Sequence, residues 1–284
     1  MAAAFVLLDT ETTGAGETDR ICQLAFLALR GREEPKAYMD YCKPPVPISF
    51  GAMSVHHITP EMVENAPSFH ETEAARALAG LNTPENIAVI HNAPFDLGML
   101  AKEDLIWQGP VIDTYRCIRH LQPDLESHAL QQLRYALGFY REEEAFADRL
   151  GYAVEAHDAM GDVIVLHFLM SYLLERVGRS QTGVQELIAL TLKPIFVKTF
   201  RFGKYKGSEV RQVFADDNDY FQWAVRKMDS DPDLSYTLKR VWVEERLETI
   251  REGGFTGPLD KELAPWALAQ DFLDEADRKT VASW

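Results

Sequence analysis

The chain has 284 residues, 46% of them apolar and 26% charged, and a net charge of −15 at pH 7. A chain of this length buries enough surface to hold a core without disulfides or metal, and its composition lies outside the disordered and collagenous ranges. So acidic a protein binds polyanions poorly unless cations or a local basic stretch recruit them.

Residues 5–9 form a short apolar run ending on a carboxylate, and residues 21–29 form a second after a glycine-bearing turn. Residues 38–42 complete an expected three-stranded meander. Pro44, Pro45 and Pro47 break the chain. One helix is expected to start near Thr59 and Pro60, and another to cover residues 68–81, each with a Thr or Ser cap signal. Residues 87–90 read as a buried strand that delivers residues 91–96 to a helix reaching about residue 101. Residues 111–114 repeat the pattern of apolar strand followed by carboxylate. Residues 129–137 and 158–176 have helical period, the latter with Val163, Leu166, Met170 and Leu173 on one face. Strands first and alternating strands and helices afterwards predict an α/β domain over residues 1–180, a mixed central sheet flanked by helices. A composition shift near residue 180 suggests a linker over 181–194, a basic C-terminal module over 195–250 and an acidic tail over 251–284.

Cys22, Cys42 and Cys117 are far apart and in no C-x-x-C pair, so they encode neither a disulfide framework nor a zinc ribbon. The N-terminus lacks the basic region of a signal peptide, and the longest apolar stretch, residues 163–174, is shorter than the roughly 20 residues of a membrane span. The expectation is a soluble cytoplasmic protein with no membrane contact.

Two carboxylates in Asp9-Thr10-Glu11-Thr12-Thr13-Gly14, at i and i+2 of an extended chain, project to one face, and the glycine permits a sharp exit. At the end of a buried strand such a pair is costly unless a cation lies between them. Asp96 and Asp162 each sit at an element end and are expected to face the same crevice. An all-oxygen donor set suits Mg²⁺ or Mn²⁺, and two such ions roughly 3.5–4 Å apart clamp in-line phosphoryl displacement. His157, five residues before Asp162, is the candidate general base, because a neutral imidazole near pH 7 can take a proton from the attacking water. His91 and Asp113 are expected to pack and support. Residues 193–211 carry six basic residues against one acid, a net charge of +5. Arg201, Lys204 and Lys206 within that stretch are the natural seat for a phosphate backbone.

The segments Asp9 to Gly14, His91-Asn92-x-x-Phe95-Asp96 and His157-x-Ala159-x-x-Asp162, in this order, resemble the three exonuclease motifs of the DEDD superfamily, in its histidine-bearing branch. The resemblance covers residues 1 to about 178. Residues 200–207, 220–223 and 235–239, together with 52–59, resemble the exodeoxyribonuclease X family. The resemblance implies a ribonuclease H-like exonuclease fold and removal of nucleoside 5′-monophosphates from the 3′ ends of single-stranded or duplex DNA. By the same resemblance Asp9 bridges two divalent cations, Glu11, Asp96 and Asp162 complete their ligation, and His157 is the base. The backbone from Thr10 through Thr12 to Gly14 would line the terminal nucleotide, with Val55, His56, Asn92 and Phe95 also at the substrate. Two alternatives stand beside this reading. The same motifs serve 3′-to-5′ exoribonucleases acting on RNA, and a polymerase-associated nucleic-acid-binding module could carry a relict site, although all five motif residues are retained.

Overall fold

The computed structural model describes residues 3–154 and 157–284, which divide into two compact units, Met1–Lys193 and Pro194–Trp284. Among the described residues no helix is long and apolar enough to cross a membrane.

The first unit is built on a five-stranded mixed sheet. Strands β1 (Phe5–Thr12), β2 (Ile21–Leu29) and β3 (Lys36–Tyr41) form the expected antiparallel meander. Next come helices α1 (Phe50–His56), α2 (Pro60–Val63) and α3 (Glu73–Leu81). Strand β4 (Ile87–Ile90) then pairs in parallel with the free edge of β1, α4 (Ala93–Lys102) follows it, and β5 (Val111–Asp113) pairs in parallel with β4. The sheet order is β3-β2-β1-β4-β5. Five helices close the unit: α5 (Thr114–Leu121), α6 (Leu130–Ala136), α7 (Glu143–Leu150), α8 (Ala159–Val177) and α9 (Gln181–Leu192).

Alternation along β1 assigns its side chains to two cores. Leu7 packs with Met160, Val163 and Leu166 of α8, while Val6 and Leu8 pack with Leu78 of α3 and Leu100 of α4. By the same alternation Asp9 and Glu11 fall on the α8 side, and Thr10 and Thr12 on the α3 and α4 side. The strand runs three residues beyond the apolar stretch because Thr10 and Thr12 are themselves buried.

Several expectations change. The helix expected over 68–81 is divided by Thr72, whose hydroxyl accepts from Ala75 N at 3.1 Å and restarts the chain as α3 after a 3-10 turn. Helices α1, α5 and α7 add to the expected set, and Ser49 and Asp113 cap the first two with their side chains. The supposed linker is α9. Its Leu187 is buried in the first core, and Thr191 Oγ1 accepts from Asp113 N at 2.9 Å. The composition shift near residue 180 marks the turn between α8 and α9, where Gly178 takes φ 95°, rather than the end of the unit.

The second unit begins with a turn closed by pairing of Thr199 with Glu209. It continues through α10 (Val210–Asp216), α11 (Asn218–Lys227), α12 (Pro232–Arg251), α13 (Pro258–Leu268) and α14 (Glu275–Ala282). The supposed acidic tail is thus two packed helices. Glu262, Asp274 and Glu275 point outward, whereas Leu259, Leu263, Ala267, Leu273 and Val281 share one core with Phe200, Phe221 and Trp242. Asp260 staples this segment to α12. Fully buried, it accepts from Trp242 Nε1 at 2.8 Å and Gly257 N at 2.6 Å and pairs with Arg246 at 3.2 Å. Asp260→Ala should therefore cost about 3 kcal/mol, because it takes the carboxylate from a partly buried guanidinium and leaves an indole N–H without its acceptor. Urea unfolding followed by tryptophan fluorescence checks this, and parental stability would mean that α13 and α14 are only loosely attached.

Candidate active site

Strand β1 and helix α8 bring three acids together. Asp9, Glu11 and Asp162 each present a ligand atom, and the three atoms lie within 4.8 Å of one another. The start of α8 is held over the strand by β2. Gln23, opposite Glu11 in the β1–β2 register, donates to Asp158 Oδ1 at 2.8 Å and accepts from Ala159 N at 3.1 Å. Asp158 in turn caps α8 by accepting from Gly161 N at 3.1 Å.

Asp96 arrives from the opposite core and is not among the three clustered acids. Its Oδ1 accepts from Thr10 N at 3.0 Å and from Thr10 Oγ1 at 2.7 Å. Asp113, as expected, is a support. One carboxylate accepts from Asn92 N and Ala93 N at the start of α4 and from Tyr115 N and Arg116 N at the start of α5. His91 packs at the end of β4, with Nε2 2.9 Å from the His128 carbonyl and Nδ1 3.0 Å from the Thr114 hydroxyl. Burial pushes it down to about 4, so it is neutral, and Nε2 faces the His128 carbonyl.

Burial and like charge push all four acids upward. Asp9 lies well above the usual carboxylate range, first through burial and then through Asp96, Asp162 and Glu11. Glu11 rises to about 8 through burial, with Asp162 and Asp96 adding to it. Asp96 reaches about 7 through burial, opposed by its hydrogen bonds from Thr10. Asp162 reaches about 6 through burial, opposed by a hydrogen bond from Gln131 and by the nearby His157. The charges that raise Asp9 and Glu11 are those of Asp96, Asp162 and Asp158, with Glu11 also acting on Asp9. A compact set of oxygen donors crowded by like charge fits a hard divalent cation.

His157 stands beside this cluster with an exposed side chain, a left-handed backbone at φ 60° and its N–H on the Asp162 carboxylate. The expected substrate contacts fare differently. The side chains of Thr10 and Thr12 are buried and committed, the former to Asp96 and the latter to the Gly14 carbonyl at 2.9 Å. Gly14 is required by space, since a Cβ there would come within 2.6 Å of an Asp19 carboxylate held by Thr13 Oγ1 and Gly16 N. His56 turns inward: Nδ1 accepts from Ile58 N at 3.0 Å, so Nε2 donates to the Thr12 carbonyl at 3.0 Å. With both nitrogens occupied it anchors the end of β1 and offers no free donor. Its neighbour Val55 is exposed, as is Asn92, while Phe95 packs partly into the α4 core. In the second unit Arg201 and Lys206 are exposed. Lys204 pairs with Asp217 at 2.9 Å and lies over the rings of Tyr205 and Tyr220.

Sequence reasoning missed Gln23 and Gln131. The register of β2 against Glu11 could have revealed the first, whereas nothing local marks the second.

The sequence profile of the exonuclease family matches residues 6–167, from β1 into α8 and more than half of the chain. The chain belongs to the exonuclease family. That family is divalent-metal dependent. A second profile, exodeoxyribonuclease X-like C-terminal, matches residues 200–229 of this chain. Its relatives include a DNA polymerase III subunit epsilon-like protein of Rhodobacter capsulatus, 34% identical over 168 residues, 56% of this chain and 22% of that protein. A PolC-type DNA polymerase III of Oceanobacillus iheyensis is 33% identical over 137 residues, 45% of this chain and 9% of the polymerase. The chain therefore spans under a quarter of the length of these two. Exodeoxyribonuclease 10 of Escherichia coli is 26% identical over 239 residues, covering 82% of this chain and 96% of that enzyme. Among solved structures, exonuclease X in complex with 5′ overhanging duplex DNA superposes with a TM-score of 0.52 at 21% identity, over 65% of this chain and 99% of the other. The two share a fold.

The raised acids make a pH prediction for the metal-free protein. Where the folded state holds protons that the unfolded state has released, stability falls as pH rises. Buried His91 and His167, both pushed down to about 4, act in the opposite sense, but only below the ordinary imidazole value of about 6.5. Between pH 6.5 and about 8.5 the acids act unopposed by these histidines, so the melting temperature in EDTA should fall across that window. Asp9→Asn should flatten the fall, and a melting temperature that stays level or rises in the parent would contradict the charge crowding.

Proposed function

We propose that this exonuclease removes nucleoside 5′-monophosphates one at a time from the 3′ ends of DNA, using two divalent cations, Mg²⁺ or Mn²⁺. The observation that carries this reading is the convergence of Asp9, Glu11 and Asp162 under charges of one sign, with the exposed His157 beside them. DNA is favoured as substrate by exodeoxyribonuclease 10, nearly all of whose length this chain matches.

Asp9, Glu11 and Asp162 would hold one cation, and Asp9 with Asp96 the second. Bound there, the cations supply positive charge to the transferring phosphoryl group and the leaving 3′ oxygen. The protein provides the rest. Thr10 fixes Asp96 by two hydrogen bonds. His157, held at the head of α8 by the Asp158 cap and its own N–H on Asp162, takes the proton from the attacking water. No nucleophilic side chain is required.

A 5′-labelled oligonucleotide in Mg²⁺ should shorten progressively from its 3′ end and release mononucleotides. Asp9→Ala or excess EDTA should abolish the reaction, and His157→Ala should slow it about 10²–10⁴-fold while leaving cation affinity nearly unchanged. Parental rates in these variants, internal cleavage, or equal digestion of RNA would each refute part of the proposal.

In the second unit we assign Arg201 and Lys206 to the DNA backbone, with Lys204 contributing less because Asp217 already neutralises it. Arg201→Ala with Lys206→Ala should lower the salt slope of binding to a long oligonucleotide by about 0.7–0.9 for each phosphate no longer neutralised. An unchanged slope would make this turn a plain solvated surface.

A further inference from the structure

Resting on the proposed function, we infer that Gln131 is a positioning residue of this active site, held by Arg134 and Glu143 so that its amide N–H sets the orientation of Asp162. Helix α6 carries both Gln131 and Arg134 on one face, three residues apart. Helix α7 begins with Glu143, which is buried. Arg134 Nε donates to both Glu143 oxygens, at 2.8 and 3.0 Å, and Nη2 adds a further bond. This fork-on-carboxylate pairing fixes the guanidinium plane. The remaining nitrogen, Nη1, donates to Gln131 Oε1 at 3.2 Å.

That last bond decides which way the glutamine amide faces. A guanidinium has no acceptor, so the glutamine oxygen must face Arg134 and the NH₂ group must face away. It faces Asp162, and Gln131 Nε2 donates to Asp162 Oδ1. Apart from Gln131, the His157 backbone N–H holds the Asp162 carboxylate, while Asp158, Asp9 and Glu11 around it carry like charge. A neutral donor locked from behind keeps the carboxylate from rotating away from Asp9 and Glu11. It does so without placing a positive charge in the site that would compete with a cation. Groups that orient a metal ligand in this way are typically worth about 10–100-fold in metal affinity.

The test is Mn²⁺ affinity by calorimetry, with the melting temperature in EDTA as a fold control. Gln131→Met keeps the length and removes both polar atoms. Gln131→Glu keeps the acceptor for Arg134 and removes the donor. Both should melt within a few degrees of the parent and bind Mn²⁺ about 10–100-fold more weakly. In an Asp162→Asn background Gln131→Met should cost nothing further, because the two side chains act as one unit. Parental affinity in both single variants, or an equal loss in the Asp162→Asn background, overturns the inference while the metal site stands. A parent that binds no Mn²⁺ overturns the proposed function and this inference with it.

Discussion

Carboxylates that share a buried face repel one another, and the charges that act on Asp9 and Glu11 are those of neighbouring acids. At 4.8 Å, the outer limit of the ligand-atom separations, two full charges cost about 3.5 kcal/mol in a medium of effective dielectric 20. Three such pairs approach the whole net stability of an ordinary domain, about 5–15 kcal/mol. The cluster therefore exists either partly protonated or around a cation. Much of the local structure serves to keep these acids where mutual repulsion would otherwise move them.

The supports are small, local and mostly neutral. Thr10, on the face of β1 opposite Asp9 and Glu11, fixes Asp96 with backbone and side chain together. Gln23 reaches across from β2 to hold the cap of α8, and α8 carries Asp162. Asp113 ties the starts of α4 and α5 to one carboxylate, which fixes the helix that bears Asp96. Anchors of this kind add order without adding positive charge, so the field inside the site remains negative and selective for cations. The strand alternation that separates Leu7 from Leu8 also separates acids from their supports.

Much of this was legible in the sequence because it depends on short-range pattern. The meander, the β4 and β5 strands and the mixed-sheet class follow from apolar runs of strand length, and the i, i+2 spacing of Asp9 and Glu11 fixes their common face once β1 is a strand. What stayed hidden depends on partners chosen in space. His56 looks like a loop histidine until Ile58 N and the Thr12 carbonyl are seen to occupy its two nitrogens. Gln131 is one polar residue on a short helix until Asp162 lies opposite it. Charge and composition along the chain hide the α9 helix and the packing of residues 251–284. Folding sorts the same residues between buried and exposed faces of helices.

The central claim is that Asp9, Glu11 and Asp162 form a cation site. Diffraction from crystals grown with Mn²⁺, collected near its absorption edge, tests it most directly. The account predicts an anomalous peak at bonding distance from carboxylate oxygens of all three residues. Mn²⁺ bound elsewhere, with these three acids bare, would contradict it.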